Sequence, residues 1–251
     1  MGKINLAEIS TRAPKDLEKA KTKEKSAELL AEISDLQNLL YASSTNSLLV
    51  ILQGMDASGK DGAIRSVFGS VNPQGVSVSS FKVPTDIEFA HDFLWRIHQH
   101  TPAKGMIQVF NRSHYEDILI TRVHKWCDDK TALKRMKAIN DFEDLLQQHN
   151  NTTILKFYLH ISQEEQKERL NERVHNLAKQ WKYNENDLKE AELWDQYMKV
   201  YEECMEKCNL PPWIIVPSDQ NWYKEYIILK NIRDALLAMK LSFPKIAKKE
   251  K

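Results

Sequence analysis

Ser47-Leu-Leu-Val-Ile-Leu-Gln53 runs directly into Gly54-Met-Asp-Ala-Ser-Gly-Lys60-Asp61, and this junction decides the fold. A short apolar run bounded by polar residues suits a strand buried on both faces. The segment after it matches G-x-x-x-x-G-K and departs at the last position, where Asp61 replaces Ser or Thr. Gly54 and Gly59 let the backbone turn tightly and approach phosphate oxygens. The N–H groups of the loop through Ala57 and Ser58, with the N-terminus of the following helix, supply partial positive charge. Lys60 adds a full charge. A glycine turn with a surface lysine would share the spacing, but apolar strand before and amphipathic helix after favour the phosphate loop.

Working outward, similar apolar runs recur at residues 76–83, 106–110, 153–160 and 213–217. Longer amphipathic stretches lie between and after them, at 60–69, 88–100, 114–124, 130–148, 163–178, 186–207 and 221–240. Strands alternating with helices predict an α/β fold with a five-stranded parallel sheet and helices on both faces. Upstream, residues 14–41 are helical in pattern, with Leu29, Leu30, Ile33, Leu36, Leu39 and Leu40 on one face and a charged start at 15–28. The first dozen residues show no clear periodicity. We expect an N-terminal helical extension over 1–43 packed on a core spanning 44–251, and no internal repeat. The lysine-rich tail after Phe243 is expected to fray.

Composition sets limits. The chain has 251 residues, enough for one large domain, with 36 basic and 35 acidic side chains and a net charge of +1. That balance argues against a dedicated nucleic-acid or polyanion coat protein, so any polyanion site is a local cluster. Cys127, Cys204 and Cys208 form no metal-binding set, and an odd, sparse count fits a reducing cytoplasm. The polar, lysine-rich start reads as no secretory leader. No apolar run of about 20 residues predicts a membrane span.

Two carboxylates, Asp56 and Asp61, sit on the phosphate loop. Beside bound phosphate they repel it unless a cation lies between, which points to Mg²⁺ held by one of them. Asp61 is equally explained as a helix N-terminal carboxylate. A second strand end, Met106-Ile-Gln-Val-Phe110, leads into Asn111-Arg-Ser-His-Tyr-Glu-Asp117. Ligands bind at the carboxyl ends of parallel strands, so Asn111, Arg112, Glu116 and Asp117 are expected in one crevice with Lys60. The Arg112 fork suits phosphate oxygens. Ser113 capping a surface helix is the plainer alternative.

Gly54-Met-Asp-Ala-Ser-Gly-Lys-Asp-Gly62 together with Phe110-Asn-Arg-Ser-His-Tyr-Glu116 resembles the polyphosphate kinase 2 family. Asn72-Pro-Gln-Gly75, Ser80-Phe-Lys-Val-Pro84, His91-Asp-Phe-Leu-Trp-Arg96, Lys179-Gln-Trp-Lys182 and Pro212-Trp-Ile-Ile-Val-Pro-Ser-Asp219 extend the resemblance over roughly 30–243. The Asn-Arg-Ser-His-Tyr-Glu form resembles the subfamily acting on both nucleoside mono- and diphosphates. The resemblance implies a thymidylate-kinase-like P-loop core, a homo-oligomer, and Mg²⁺-dependent transfer (Mn²⁺ serving as a substitute) between polyphosphate and a nucleotide. It implies phosphate-loop roles for Asp56, Lys60 and Asp61, and places Asn111, Arg112, Glu116 and Asp117 at the second motif, with Glu116 or Asp117 serving the metal. Lys82 and Asp86 line the nucleotide and phosphate channel by the same reasoning. Arg169, Arg173, Lys179 and Lys182 fall in or near a mobile lid around 165–195. After Leu188-Lys-Glu190 the family often carries an Arg, and here Ala191 stands in its place.

Phosphoryl transfer needs in-line positioning and neutralised oxygens rather than covalent help. Lys60, Lys82, Arg112 and Arg122 are expected to form a basic track. Mg²⁺ near Asp56 and the Glu116/Asp117 pair would bridge acceptor and donor, and Asp56 could also orient the attacking oxygen. Two rivals stand beside this reading: an ATP-dependent nucleoside monophosphate kinase, and a nucleotide-binding module without turnover. Asp61 and the Asn111-Arg112 strand end speak against the first, and the concentration of carboxylates at one phosphate site against the second.

Overall fold

The computed structural model describes residues 3–245; the end of the lysine-rich tail lies outside the described residues. Five strands form one parallel sheet: β1 (Ser47–Gln53), β2 (Val76–Ser80), β3 (Ile107–Asn111), β4 (Thr152–His160) and β5 (Trp213–Pro217). Their order is β2-β3-β1-β4-β5. The register pairs Val50 with Val109 on one side and with Leu155 on the other. β1 is therefore central, and the order reverses about it, which is where an α/β sheet opens a ligand crevice.

All seven residues of β1 are buried, because both faces of the sheet are covered. Alternate side chains enter opposite cores. Leu48, Val50 and Leu52 join one cluster and Leu49 and Ile51 the other. The first cluster lies under α1 (Lys19–Ser43), α2 (Lys60–Phe68) and, at the end of the chain, α10 (Asn221–Ala238). Here Leu29, Ile33 and Leu40 of α1 meet Ile228, Leu229, Ile232 and Leu236 of α10. Each such side chain contributes about 1.5–3 kcal/mol by leaving water, so the N-terminal helix completes one of the two cores.

The other helices follow in order: α3 (Asp86–Phe89), α4 (Trp95–His98), α5 (Ile120–Val123), α6 (Asp129–Asn150), α7 (Gln163–His175), α8 (Glu185–Glu192) and α9 (Trp194–Lys207). Met136, Ile139, Phe142 and Leu146 of α6, with Tyr197, Tyr201, Cys204 and Met205 of α9, build the second core. Three stretches expected as single helices are broken. Residues 88–100 divide into α3 and α4, where an Asp92 side chain accepts from Leu94 N and turns the chain. Residues 114–124 begin as a 3₁₀ turn, His114–Ile118. Residues 186–207 divide into α8 and α9 at Leu193.

Residues 3–12 hold a defined path despite their lack of period. Leu6 is buried in the second core. Ile4 N donates to Glu206 Oε1 and Leu6 N to Glu202 Oε1, both on α9. The segment then crosses the carboxyl ends of β4 and β5, where Asp219 N donates to Thr11 O. No helix among the described residues is long and apolar enough to cross a membrane.

Candidate active site

The loop between β1 and α2 needs its glycines for stated reasons. Gly54 has φ 150°, and a Cβ there would come within 2.8 Å of the Leu159 carbonyl oxygen. Gly59 has φ 94°, and a Cβ there would run into Lys224 Nζ. Lys60 begins α2 and is buried; its Nζ donates to Gly54 O at 2.7 Å and Met55 O at 3.1 Å. Burial, and next the Arg112 charge, lower its pKa to about 8, against the pull of Asp56, Glu116 and Asp61. The ammonium is thus held over the loop by carbonyls, and a phosphate anion would favour its charged form.

β3 delivers the opposite wall. Asn111 ends the strand, and Arg112 follows at φ 62°, a left-handed conformation uncommon outside glycine. Arg112 Nη2 donates to Asp56 Oδ1 at 2.5 Å, and its Nη1 lies 3.6 Å from Glu116 Oε2. Glu116 foremost, then Asp56, hold the guanidinium firmly charged against burial. Asp61 accepts from Asn111 Nδ2 and from Lys182 Nζ, each at 2.9 Å. Burial pushes its carboxyl up, but these two hydrogen bonds outweigh it and leave the pKa below the usual range. Lys60, Asp56, Arg112, Glu116, Asn111 and Asp61 are therefore one connected site at the carboxyl ends of β1 and β3.

The segment after α7 arches over this site and includes α8. Lys182 reaches Asp61 as described, and Arg173 Nη1 pairs with Asp187 Oδ2 at 2.6 Å. On the flank, Glu190 lies 2.8 Å from His124 Nε2 and accepts from Tyr197 OH at 2.6 Å. Ala191 is buried beside it.

Polyphosphate kinase 2 is the family whose model matches residues 16–244. This chain belongs to the polyphosphate kinase 2 family. It is 44% identical over 220 residues to an AMP/ADP-polyphosphate phosphotransferase of Meiothermus ruber, covering 87% of this chain and 82% of that protein. An ADP-polyphosphate phosphotransferase of Rhodopseudomonas palustris is 42% identical, with 84% and 78% covered. The crystal structure of polyphosphate kinase 2 from Arthrobacter aurescens TC1 superposes with a TM-score of 0.94 at 41% identity, over 98% of this chain and 90% of that one.

Several residues expected at the site have other partners in this polyphosphate kinase 2 chain. Asp117 turns to Arg96, with 3.7 Å between the charged groups, and burial raises its pKa. The fork of Arg122 is occupied by Glu203 at 2.8 Å and Asp129 at 2.7 Å. Lys82 and Asp86 are exposed; the Lys82 carbonyl accepts from Arg96. Lys179 pairs with Glu172 at 2.6 Å on the outside of α7. Arg169, expected as a lid cation, instead clamps main chain. Its Nη1 donates to Ala57 O and Ser58 O, and its Nη2 to Ser218 O and Asp219 O, all within 2.8–3.3 Å.

Other residues escaped sequence reasoning. A groove of about 730 Å³ runs between α2, α7 and α10 beside the phosphate loop, lined by Arg65, Arg169, Lys179 and Lys224 together with Glu165 and Glu172. Lys224 Nζ donates to Gly59 O at 3.2 Å, and burial, then the Arg169 charge, lower its pKa to about 8. Beneath the second motif, Glu143 of α6 accepts from Tyr115 OH at 2.7 Å and Lys156 Nζ at 2.7 Å, and contacts His114 Nε2 at 3.2 Å. Glu143, Lys156, Tyr115 and His114 are all fully buried, and they anchor residues 113–116 from below. The available signal was a charged residue on an apolar stripe: Lys224 in step with Ile228 and Ile232, and Lys156 inside the β4 run.

Proposed function

We propose that this polyphosphate kinase 2 member transfers a terminal phosphoryl group between inorganic polyphosphate and nucleoside mono- and diphosphates, forming ADP and ATP from AMP and ADP. The observation that carries the reading is the convergence of Lys60, Arg112, Asp56 and Glu116 across the phosphate loop, with Lys182 above it. In the synthetic direction a nucleotide phosphate oxygen attacks the terminal phosphorus of the chain. The bridging P–O bond breaks, and the polyphosphate leaves one unit shorter. The attacking oxygen is already ionised, so no general base is needed. Lys60 and the loop N–H groups neutralise the equatorial oxygens. Arg112, carried in a strained conformation beside the loop, orients the acceptor phosphate.

Among the described residues no set of three or more His, Cys, Asp or Glu side chains is arranged to hold a metal alone. That suits Mg²⁺, which keeps waters and binds through one or two carboxylates plus substrate phosphate. Asp56 and Glu116, which converge on one guanidinium, would hold it; Asp117, turned to Arg96, is assigned to positioning. The ion, when bound, supplies positive charge to the reacting phosphate oxygens. Mn²⁺ would serve the same ligands. Cytoplasmic placement and a homo-oligomer are part of the proposal.

The test is a paired assay with Mg²⁺: AMP or ADP with polyphosphate as sole donor, and separately AMP with GTP. Product only from polyphosphate supports the proposal. Product only from GTP replaces it with an ordinary nucleotide kinase, and no product in either leaves a binding module.

A further inference from the structure

The acceptor residues lie at the carboxyl ends of β1 and β3. A donor in line with an acceptor there must approach the loop from the other side, where β4 and β5 end. That edge is already covered by the chain's own residues 4–13. His160, the last residue of β4, lies with Nε2 3.0 Å from Leu6 O and 3.1 Å from Ile9 O. Just beyond β5, Asp219 accepts from Thr11 Oγ1 at 2.8 Å and from Ser162 N at 2.8 Å, and its own N donates to Thr11 O. Ala13 N donates to Gln220 Oε1 at 2.9 Å. Leu6 is 1% exposed, and Glu202 and Glu206 hold the segment from α9. The segment is fixed at both ends; between them Leu6 is buried, Ile9 and Thr11 are half-buried, and Asn5, Ala7, Glu8, Ser10 and Arg12 face outward.

It is also close to the chemistry. One guanidinium, that of Arg169, spans from Ala57 O and Ser58 O of the phosphate loop to Ser218 O and Asp219 O under the segment. The space left beside the segment is a cavity of about 700 Å³ whose lining sets Asp195 and Glu202 against Arg12 and Lys199, with Trp194 and Met198 beside them, so it offers no net positive charge to a polyphosphate tail. The other open path on the donor side is the groove by Arg65, Arg169, Lys179 and Lys224; its lining also carries Glu165, Glu168, Glu172 and Glu225, and no Phe, Tyr or Trp to stack a base.

We propose that residues 4–13 are a specificity-determining strap: they occupy the place a donor nucleoside would need beside the phosphate loop, so the enzyme accepts a bare phosphate chain as donor and rejects a nucleoside triphosphate. This rests on the function proposed above. The discrimination is steric, and it falls as the base is moved away from the loop.

The intact protein decides it. AMP is the acceptor, ADP the readout, and the donors are tripolyphosphate, GTP and linear guanosine 5′-pentaphosphate, at equal low concentration with Mg²⁺. The strap predicts that GTP donates at least about a hundredfold more slowly than tripolyphosphate, and that the pentaphosphate recovers about tenfold of that gap or more. GTP and tripolyphosphate donating equally, or the pentaphosphate remaining as poor as GTP, overturns it. No product even from long-chain polyphosphate would instead sink the underlying function. A full-length Leu6→Asp variant, which puts a charge where Leu6 is buried and so ejects the strap, should gain GTP-dependent ADP formation by about tenfold while keeping polyphosphate turnover. A folded variant without that gain also overturns the proposal, and if the variant does not fold, the donor series stands alone.

Discussion

Lys182 Nζ sits 2.9 Å from Asp61 Oδ2, joining the arch over the site to the first turn of the helix that carries the phosphate loop. The pair is solvent-accessible, so its worth is in position rather than stability. Asp61 occupies the place of a Ser or Thr in the common loop motif, and here it has two partners that no hydroxyl could hold together as a charge pair. Lys182→Ala should leave the melting temperature unchanged. It should expose residues 176–184 to protease and lower kcat/KM for polyphosphate by about tenfold. Unchanged proteolysis would show that the contact does not hold the arch down.

Lys60→Met should cost about a thousandfold or more in turnover, because the loop loses its full charge. Its effect on the ligand-free protein should be opposite in sense. Lys60 has a folded pKa of about 8, below the ordinary 10.5, so burial of the cation opposes folding. Between pH 8 and 10.5 the unfolded chain binds more protons, and this group's contribution to stability rises with pH there. The variant should therefore melt no lower than the parent at pH 7, and its stability should climb less steeply above pH 8. A large drop in melting temperature at pH 7 would contradict the assignment.

Binding should also move protons. An anion beside Lys60 restores its ordinary pKa, so ADP binding at pH 8.5 should take up protons in calorimetry run in buffers of differing ionisation enthalpy. Lys60→Met should lower the uptake. Equal uptake in both proteins would place the titrating group elsewhere.

Arg112→Lys should lower turnover by about a hundredfold with a modest change in stability, since a lysine cannot hold Asp56 and Glu116 with one planar fork. Recovery of full rate by lysine would mean that charge alone suffices.

Glu143→Ala should destabilise the fold by about 3–5 kcal/mol, because it leaves Lys156 buried without its counter-charge. Combining Glu143→Gln with Lys156→Met removes both charges while leaving an acceptor for Tyr115. Denaturant unfolding should then recover most of the loss. No recovery would mean that the pair is not the source of the effect.

The fold was legible because its signals are local. The β1 run, the loop glycines and Lys60 all speak within fifteen residues, and β1 and β5 were read with their observed ends. The second motif was legible as a neighbourhood, but the partners of its side chains were not. Asp117 and Glu116 are adjacent in sequence, yet the 3₁₀ turn sends one to Arg96 and the other to Arg112. The family resemblance places Arg169 with the lid cations, and its clamp was not legible because its four carbonyl partners come from two distant loops. Residues 4–13 carry no period because they are held by hydrogen bonds to Glu202, Glu206, His160 and Asp219, and such bonds leave no repeat in the chain.

The Arg169 clamp sets a rule for anyone recombining this enzyme with its relatives. A lid transplanted with a junction before Arg169 would put the clamp's side chain and its four carbonyl partners under different parents, and any mismatch between them would fall on the phosphate loop. A junction after Arg173 would leave the clamp native and move only the arch. Shuffled libraries cut at these two points should therefore differ in the fraction of active clones, and the difference should persist whichever lid is supplied.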